Sequence, residues 1–415
     1  MKLRLNKREP LNIVNFTEYL FVLMMILNAN TIWTSYEDTP LNRALKVGIV
    51  VVGIFYIVVQ KLLLNKAIQN ILLSIAFGLV YVVLYSFAIG YKTTGFVYFV
   101  CTVIAVYSFL QIANSRNRGS EILYKYRDII LIVAVVSLFF WLLGSVLGIL
   151  HPTGTVYSTW VGKETDVYKT VSSYYGLYFE TQDLDSVFGI TADITRNTAV
   201  FTEAPMCNFN FCMALLIELF YNPNTSKSRC VILIVAILST ISTTGYCMLA
   251  IALTAKYLTS SRKSRGLMEL IKVLAVPTII VVAALAFQFF VETKMDTGSG
   301  ISRLRDFMVG FEAWSHKPFF GYGYGKPTYY LGIHYGYSNS IMPILGNGGL
   351  FLALPYLYCI FQWCRTCIKE KDFQKFLLFA NFMFLFTITI MSYKYLSIFI
   401  FFAYCVKRKK PIAHS

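Results

Sequence analysis

Charged side chains are scarce in this sequence. They make up 14% of its 415 residues, against about 25% in soluble domains. With 57% hydrophobic residues beside that shortage, a soluble globular protein is excluded. Cysteine supplies no framework either. Nine are scattered, mostly inside apolar runs, where they read as small hydrophobes. The single CxxC, Cys364 and Cys367, has neither a second pair nor a His partner, so no metal or redox centre is expected. The first apolar run begins near Phe16 and lacks a small-residue cleavage site, so it is expected to remain as a span.

What the chain does have is a series of long apolar runs. They cover about 16–33, 44–60, 67–89, 95–113, 128–150, 204–221, 270–290 and 341–364. Each is long enough for a helical span of roughly 17–25 residues. Two further runs, 230–258 and 376–406, are interrupted, the first by Ser239 to Gly245 and the second by Lys394. Basic residues flank both runs on each side, so each is read as two short crossings. The expected fold is an all-α integral membrane protein of about 12 transmembrane helices, with 10 as the alternative. Both termini face the cytoplasm.

The formal net charge of +16 fits basic cytoplasmic loops and does not call for nucleic acid. Lys2, Arg4, Lys7 and Arg8 mark the inner N-terminus. Lys61 and Lys66 mark one inner turn, and Arg116, Arg118, Lys125 and Arg127 another. Five parts follow: a five-helix segment 1–150, a first large outer loop 151–203, central helices 204–290, a second large outer loop 291–340, and C-terminal helices with a basic tail, 341–415.

The first outer loop holds Glu164, Asp166, Glu180, Asp183, Asp185 and Asp193. Its DxD, Asp183 to Asp185, is a divalent-cation pattern, but it is too short to outweigh a solvated acidic loop. The second outer loop is the most basic outer segment, with Lys294, Arg303, Arg305, Lys317 and Lys326. Within it Ile301, Leu304, Phe307, Met308, Phe311 and Trp314 recur at steps of three and four. That spacing predicts an amphipathic helix lying on the lipid surface. Arg305, Glu312 and His316 share its polar arc. Arg303 lies well around from Arg305, so on one regular helix the two cannot fork the same group. Guanidinium is suited to phosphate oxygens at this depth. Pro318 ends the helix. Phe319-Phe320-Gly321-Tyr322-Gly323-Tyr324-Gly325 then alternates glycine with aromatics, which suits sugar rings or an interfacial belt. His334, deep in the polar loop, is a candidate base, with His151 and His316 as rivals.

In order, Arg303/Arg305, Trp314, Lys317-Pro318-Phe319-Phe320-Gly321-Tyr322-Gly323, Ser338-Asn339 and Leu345-Gly346-Asn347-Gly348-Gly349-Leu350 resemble the large periplasmic loop of the O-antigen polymerase and O-antigen ligase superfamily. Upstream, Arg196 and Phe201-Thr202-Glu203-Ala204-Pro205 resemble its Arg and F-x-E-P entry to a central span. Ser239 to Gly245 resembles its serine-rich break. The resemblance covers roughly 190–365. It implies a multi-pass protein of the bacterial cytoplasmic membrane with its active site outside. The activity it implies is a metal-free and cofactor-free glycosyl transfer, which polymerises oligosaccharide repeat units into a surface polysaccharide.

By this resemblance, donor and acceptor are polyprenyl-diphosphate-linked oligosaccharides. Membrane lipid, a chain-length regulator and a flippase are the further partners. Arg196 and Arg303 or Arg305 would hold the diphosphate. Glu203, Trp314, Gly321, Tyr322, Gly323 and Asn339 would line the substrate site. The sequence departs from the family where its His-Asn pair reads Ser338-Asn339, where Ala204 separates Glu203 from Pro205, and where the serine break lacks its Arg. His334 lies four residues before Ser338, one turn away if that segment is helical, and takes the base role in this reading. The alternatives are a ligase using the same donor and a polysaccharide transporter.

Overall fold

The computed structural model describes residues 13–35, 40–60, 66–90, 93–158, 169–187, 190–259, 298–336 and 338–406. The expected span at about 270–290, the basic segments 1–12 and 407–415, and Lys61, Glu164, Asp166 and Lys294 lie outside the described residues. Among those described, twelve α-helices dominate: α1 (Ile13–Leu27), α2 (Pro40–Val59), α3 (Lys66–Ala88), α4 (Thr93–Ser115), α5 (Gly119–Phe140), α6 (Ala204–Leu216), α7 (Lys227–Ser239), α8 (Thr243–Thr259), α9 (Gly298–His316), α10 (Ile341–Glu370), α11 (Phe373–Thr387) and α12 (Tyr395–Phe402). α5 and α6 each run on into a π-helical turn, to Val146 and Tyr221. Among the described residues six helices are long and apolar enough to cross a membrane, and α1, α11 and α12 are shorter apolar helices. The chain is a mainly helical membrane protein.

The segment 151–203, expected as an acidic loop, carries strands among its described residues. It forms an antiparallel sheet of β1 (Gly154–Ser158), β2 (Lys169–Tyr174) and β3 (Tyr178–Glu180), and a hairpin of β4 (Asp183–Val187) and β5 (Ile190–Thr195). Its Thr, Val, Ser and Tyr content favours strands, but short polar strands carry little hydrophobic period to read.

Both interrupted runs fold back on themselves. α7 and α8 meet at Thr240 to Ser242, and the Tyr246 hydroxyl donates to Leu238 O across the turn, 3.2 Å away. At the other end Lys256 Nζ reaches Thr225 Oγ1, 3.5 Å away, just before α7 begins. In a straight helix those two residues would lie about 45 Å apart. α11 and α12 turn similarly. Trp363 Nε1 of α10 donates to Phe401 O, while Ser340 at the opposite end of α10 accepts from Met391 N in the α11–α12 break. Lys394 stands in that break, as the sequence indicates.

These breaks gather at one end of the bundle. α1 stops early because Asn28 and Asn30 give their side chains to the α11–α12 break: Oδ1 of Asn28 accepts from Tyr395 N, and Nδ2 of Asn30 donates to Ile390 O. Ile32 N and Thr202 N bond Val200 O and Asn30 O, tying in the entry to α6. Asn197 N bonds Ser239 O at the α7–α8 turn. Ile241 holds that turn with φ +45°, a region a β-branched residue rarely adopts. Ile241→Gly is therefore expected to raise stability by about 1 kcal/mol, read as a higher thermal midpoint of the detergent-solubilised protein.

The opposite end carries charge inside the fold, which corrects the reading of Lys125 and Arg127 as loop residues before a span at 128. α5 begins at Gly119, so both lie within it and are buried. Residues two apart on a helix point about 200° apart. Lys125 turns to α1, where Glu18 accepts from it, from Arg118 and from Tyr56. Arg127 turns to α6, where it pairs with Glu218 at 2.6 Å. One helix is stapled on both flanks.

Candidate functional site

Arg196 leaves β5 at the end where the breaks gather. Its backbone N–H donates to Gln182 O, its Nε to Thr240 O at 2.9 Å and its Nη1 to Gln182 Oε1 at 3.3 Å. Gln182 Oε1 also accepts from Ala204 N, the first amide of α6. The guanidinium is thus slung between the β4 strand, the α7–α8 turn and the start of α6. Burial lowers its pKa, and Glu203, then Tyr246, oppose that, while Arg303 adds to the lowering. Glu203 is the residue before α6, in extended conformation, and its carbonyl accepts from Met206 N and Cys207 N.

Arg303 arrives from the second polar segment, on the first half of α9. Its surface is largely exposed, yet it is set deeply enough for burial to lower its pKa, with Glu203 first and Asp306 second holding it up. Glu203 therefore acts on both arginines, and the arginines act on each other. Two polar segments far apart in sequence thus lie within electrostatic reach of one carboxylate. The helix starts at Gly298, so Arg303 and Arg305 are about 200° apart on it. Arg303 belongs to the cluster, and Arg305 is exposed on another side.

α9 is the amphipathic helix the spacing predicts. Ile301, Leu304, Phe307, Met308 and Phe311 are exposed, while Asp306, Gly310 and Ala313 face inward. Its close approach to α10 depends on Gly310, where a Cβ would fall 2.6 Å from Met342 Cβ. Trp314 is half-buried and donates from Nε1 to Pro318 O, 3.1 Å away. It bolts down the helix end.

The glycine–aromatic run makes a backbone clasp on the start of α10. Tyr322 N and Gly323 N donate to Gly346 O and Asn347 O, and Leu350 N and Phe351 N donate to Pro318 O and Phe319 O. The two glycine motifs are thus halves of one contact. Tyr322 lies under the Lys317 ammonium, 4.7 Å from its ring centre. Asn339 is buried and accepts from Met342 N at 2.8 Å, which caps α10.

His334 lies in the hairpin of β6 (Tyr329–Tyr330) and β7 (Ile333–His334), with its ring on Tyr329. His334 is in a strand and Tyr335 and Gly336 after it are not helical, so no regular helical turn relates His334 to Ser338. The hairpin packs on the second half of α9: Tyr330 bonds His316, and Tyr335 packs with Ala313 and Met342. That is about 15 Å along the helix axis from Arg303. His316 is engaged there too. Asp183 of the DxD accepts from Thr195 Oγ1. Gln182, Tyr246 and Asp306 join the site without having been picked out from sequence, and Thr240 joins it from the Ser239–Gly245 break, where it was visible only as part of an interruption.

No protein-family model, curated protein or solved structure matches the chain.

Proposed function

We propose that the chain is a glycosyltransferase of the bacterial cytoplasmic membrane that joins polyprenyl-diphosphate-linked oligosaccharide units into a surface polysaccharide. In this reading the end carrying the site faces outward and both helical hairpins cross the membrane twice. The observation that carries the proposal is the Arg196 guanidinium slung between Gln182, the α7–α8 turn and the start of α6, within electrostatic reach of Arg303 and Glu203, beside a helix whose exposed apolar face suits the lipid surface. An acceptor hydroxyl attacks the anomeric carbon of the donor. The bond from that carbon to the diphosphate oxygen breaks, and the diphosphate leaves with the electron pair. The hydroxyl proton passes to a base. Guanidinium groups stabilise the charge growing on the leaving group.

Arg196→Ala and Arg303→Ala are expected to lower chain extension by roughly ten- to a hundredfold, with single repeat units accumulating on the lipid while the protein still inserts. Normal chain lengths in both variants would overturn the proposal. His334→Ala is expected to leave extension within about threefold, because its hairpin stands roughly two to three helical turns away from Arg303. A loss as large as that of Arg303→Ala would return the base role to His334. The lipid-linked pool of a deletion strain separates the polymerase from a ligase: single units point to the first and long unattached chains to the second. Transport draws no support from Glu18 and Glu218, since each is already held by two cationic side chains.

A further inference from the structure

Two hydroxyls hold Glu180 where the first polar segment meets α5. Ser145, in the π-helical turn, donates to Glu180 Oε1 at 2.7 Å, and the Tyr174 hydroxyl donates to the same oxygen at 3.0 Å. A carboxylate only accepts, so the Ser145 proton is used there. The Tyr178 hydroxyl, 2.9 Å from Ser145 Oγ, is then the donor to the serine. Tyr174 and Tyr178 are buried, while Glu180 is half-buried. Both bonds to the carboxylate end on Oε1. Among the described residues Oε2 accepts from nothing.

Two routes place this carboxylate beside Arg196. Along the chain, Gln182 is two residues on, and its side chain and carbonyl both hold Arg196. Across α5, Trp141 Nε1 donates to Thr195 O at 2.9 Å, and Trp141 is about one turn before Ser145. Glu180 and Arg196 therefore stand within about 12 Å of each other, Cα to Cα. A displacement needs such a separation. The leaving oxygen lies about 3 Å from a guanidinium, with the anomeric carbon one bond beyond. The attacking hydroxyl lies about 3 Å from that carbon, and the base about 3 Å from the hydroxyl. Guanidinium and base are then roughly 10 Å apart. The other carboxylates of the site suit the task less well. Glu203 already offsets both arginines, and protonating it would leave their charges unmatched. Asp306 is 3% exposed and faces inward.

We propose that Glu180 is the base of the transfer. Its Oε2 takes the proton of the acceptor hydroxyl as the hydroxyl oxygen bonds to the anomeric carbon. The diphosphate leaves with the electron pair of the broken bond, and the proton then passes from Glu180 to outer water. The assignment rests on the glycosyl-transfer reading and supplies the base which that reading leaves open.

The test uses membrane vesicles of a deletion strain, which hold its own lipid-linked units, with each full-length variant expressed in that strain. Glu180→Gln keeps an oxygen for Ser145 and Tyr174 and removes the proton acceptor. It is expected to lower chain extension by at least about a hundredfold, with the thermal midpoint of the purified protein unchanged. Glu180→Ala opens room for a small carboxylate. Sodium formate, compared with sodium chloride at equal ionic strength, is expected to restore its extension at least about tenfold. A purely structural role predicts the reverse, a benign glutamine and no response to formate. Extension in Glu180→Gln within about threefold of the wild type overturns the assignment. So does a loss that follows a lowered thermal midpoint in Glu180→Gln, with no formate rescue of Glu180→Ala. Either result, with extension still lost in Arg196→Ala and Arg303→Ala, leaves the arginine site standing. Full extension in both arginine variants overturns the transfer reading and the base with it.

Discussion

Glu18→Ala is expected to remove about 3–5 kcal/mol of stability, enough to deplete the folded protein in the membrane. Glu18 is fully buried. Its carboxylate takes Arg118 in a fork, with Nε at 2.7 Å and Nη2 at 2.8 Å, and also Lys125 Nζ at 2.6 Å and the Tyr56 hydroxyl at 2.6 Å. Removing it leaves a nearly buried Lys125 and a partly buried Arg118 with no counter-charge there, only the neutral Asn15 Oδ1 still accepting from both. The loss comes mainly from those stranded charges, since a buried pair is itself worth little against an apolar replacement. Glu18→Leu combined with Lys125→Met should therefore recover much of the loss, although each change alone is severe. The amount of folded protein recovered from membranes, together with thermal unfolding in detergent, checks both statements. A double variant as unstable as the sum of its parts would mean that Glu18 and Lys125 do not couple, and would overturn the stranded-charge account.

Much of the frame is written in the sequence, because a lipid environment demands long apolar helices and leaves few other solutions. The run ends at 44–60, 67–89 and 95–113 lie within a few residues of α2, α3 and α4. The breaks at Ser239–Gly245 and Lys394 are also visible, since polar residues inside apolar runs need a reason. Lys125 and Arg127 were misjudged for a physical cause: a charge beside an apolar run looks like a loop until its partner, about a hundred residues away, is seen. The site was half legible. The steps of three and four gave α9 and separated Arg303 from Arg305. Nothing local says that Gln182 and Thr240 will hold Arg196, or that Glu203 will serve both arginines. The glycine motifs were visible as motifs, but their role could not be read, because a clasp is defined by two segments and each shows only its own half.

That clasp gives the second large effect. Gly321 has φ +61°, and a Cβ there would lie 2.5 Å from both Asn347 C and Gly348 N and 2.6 Å from Gly346 O. All three are backbone atoms of α10, which cannot rotate aside as a side chain can. Gly321→Ala is therefore expected to destabilise by about 2–4 kcal/mol, with about 1 from the left-handed backbone and the rest from overpacking. Gly332 separates the two parts. It has φ +80° with no atom within 4 Å of a Cβ, so Gly332→Ala should lose only the backbone share, about 1 kcal/mol. Protease sensitivity between residues 316 and 340, together with thermal unfolding, measures the difference. If the clasp holds the second polar segment against α10, Gly321→Ala opens that segment and, under the proposed function, also weakens chain extension, because α9 and Arg303 lose their anchor at the Pro318 end. Equal losses in the two glycine variants would remove the clasp, and Gly321 would return to the substrate site that its motif suggests.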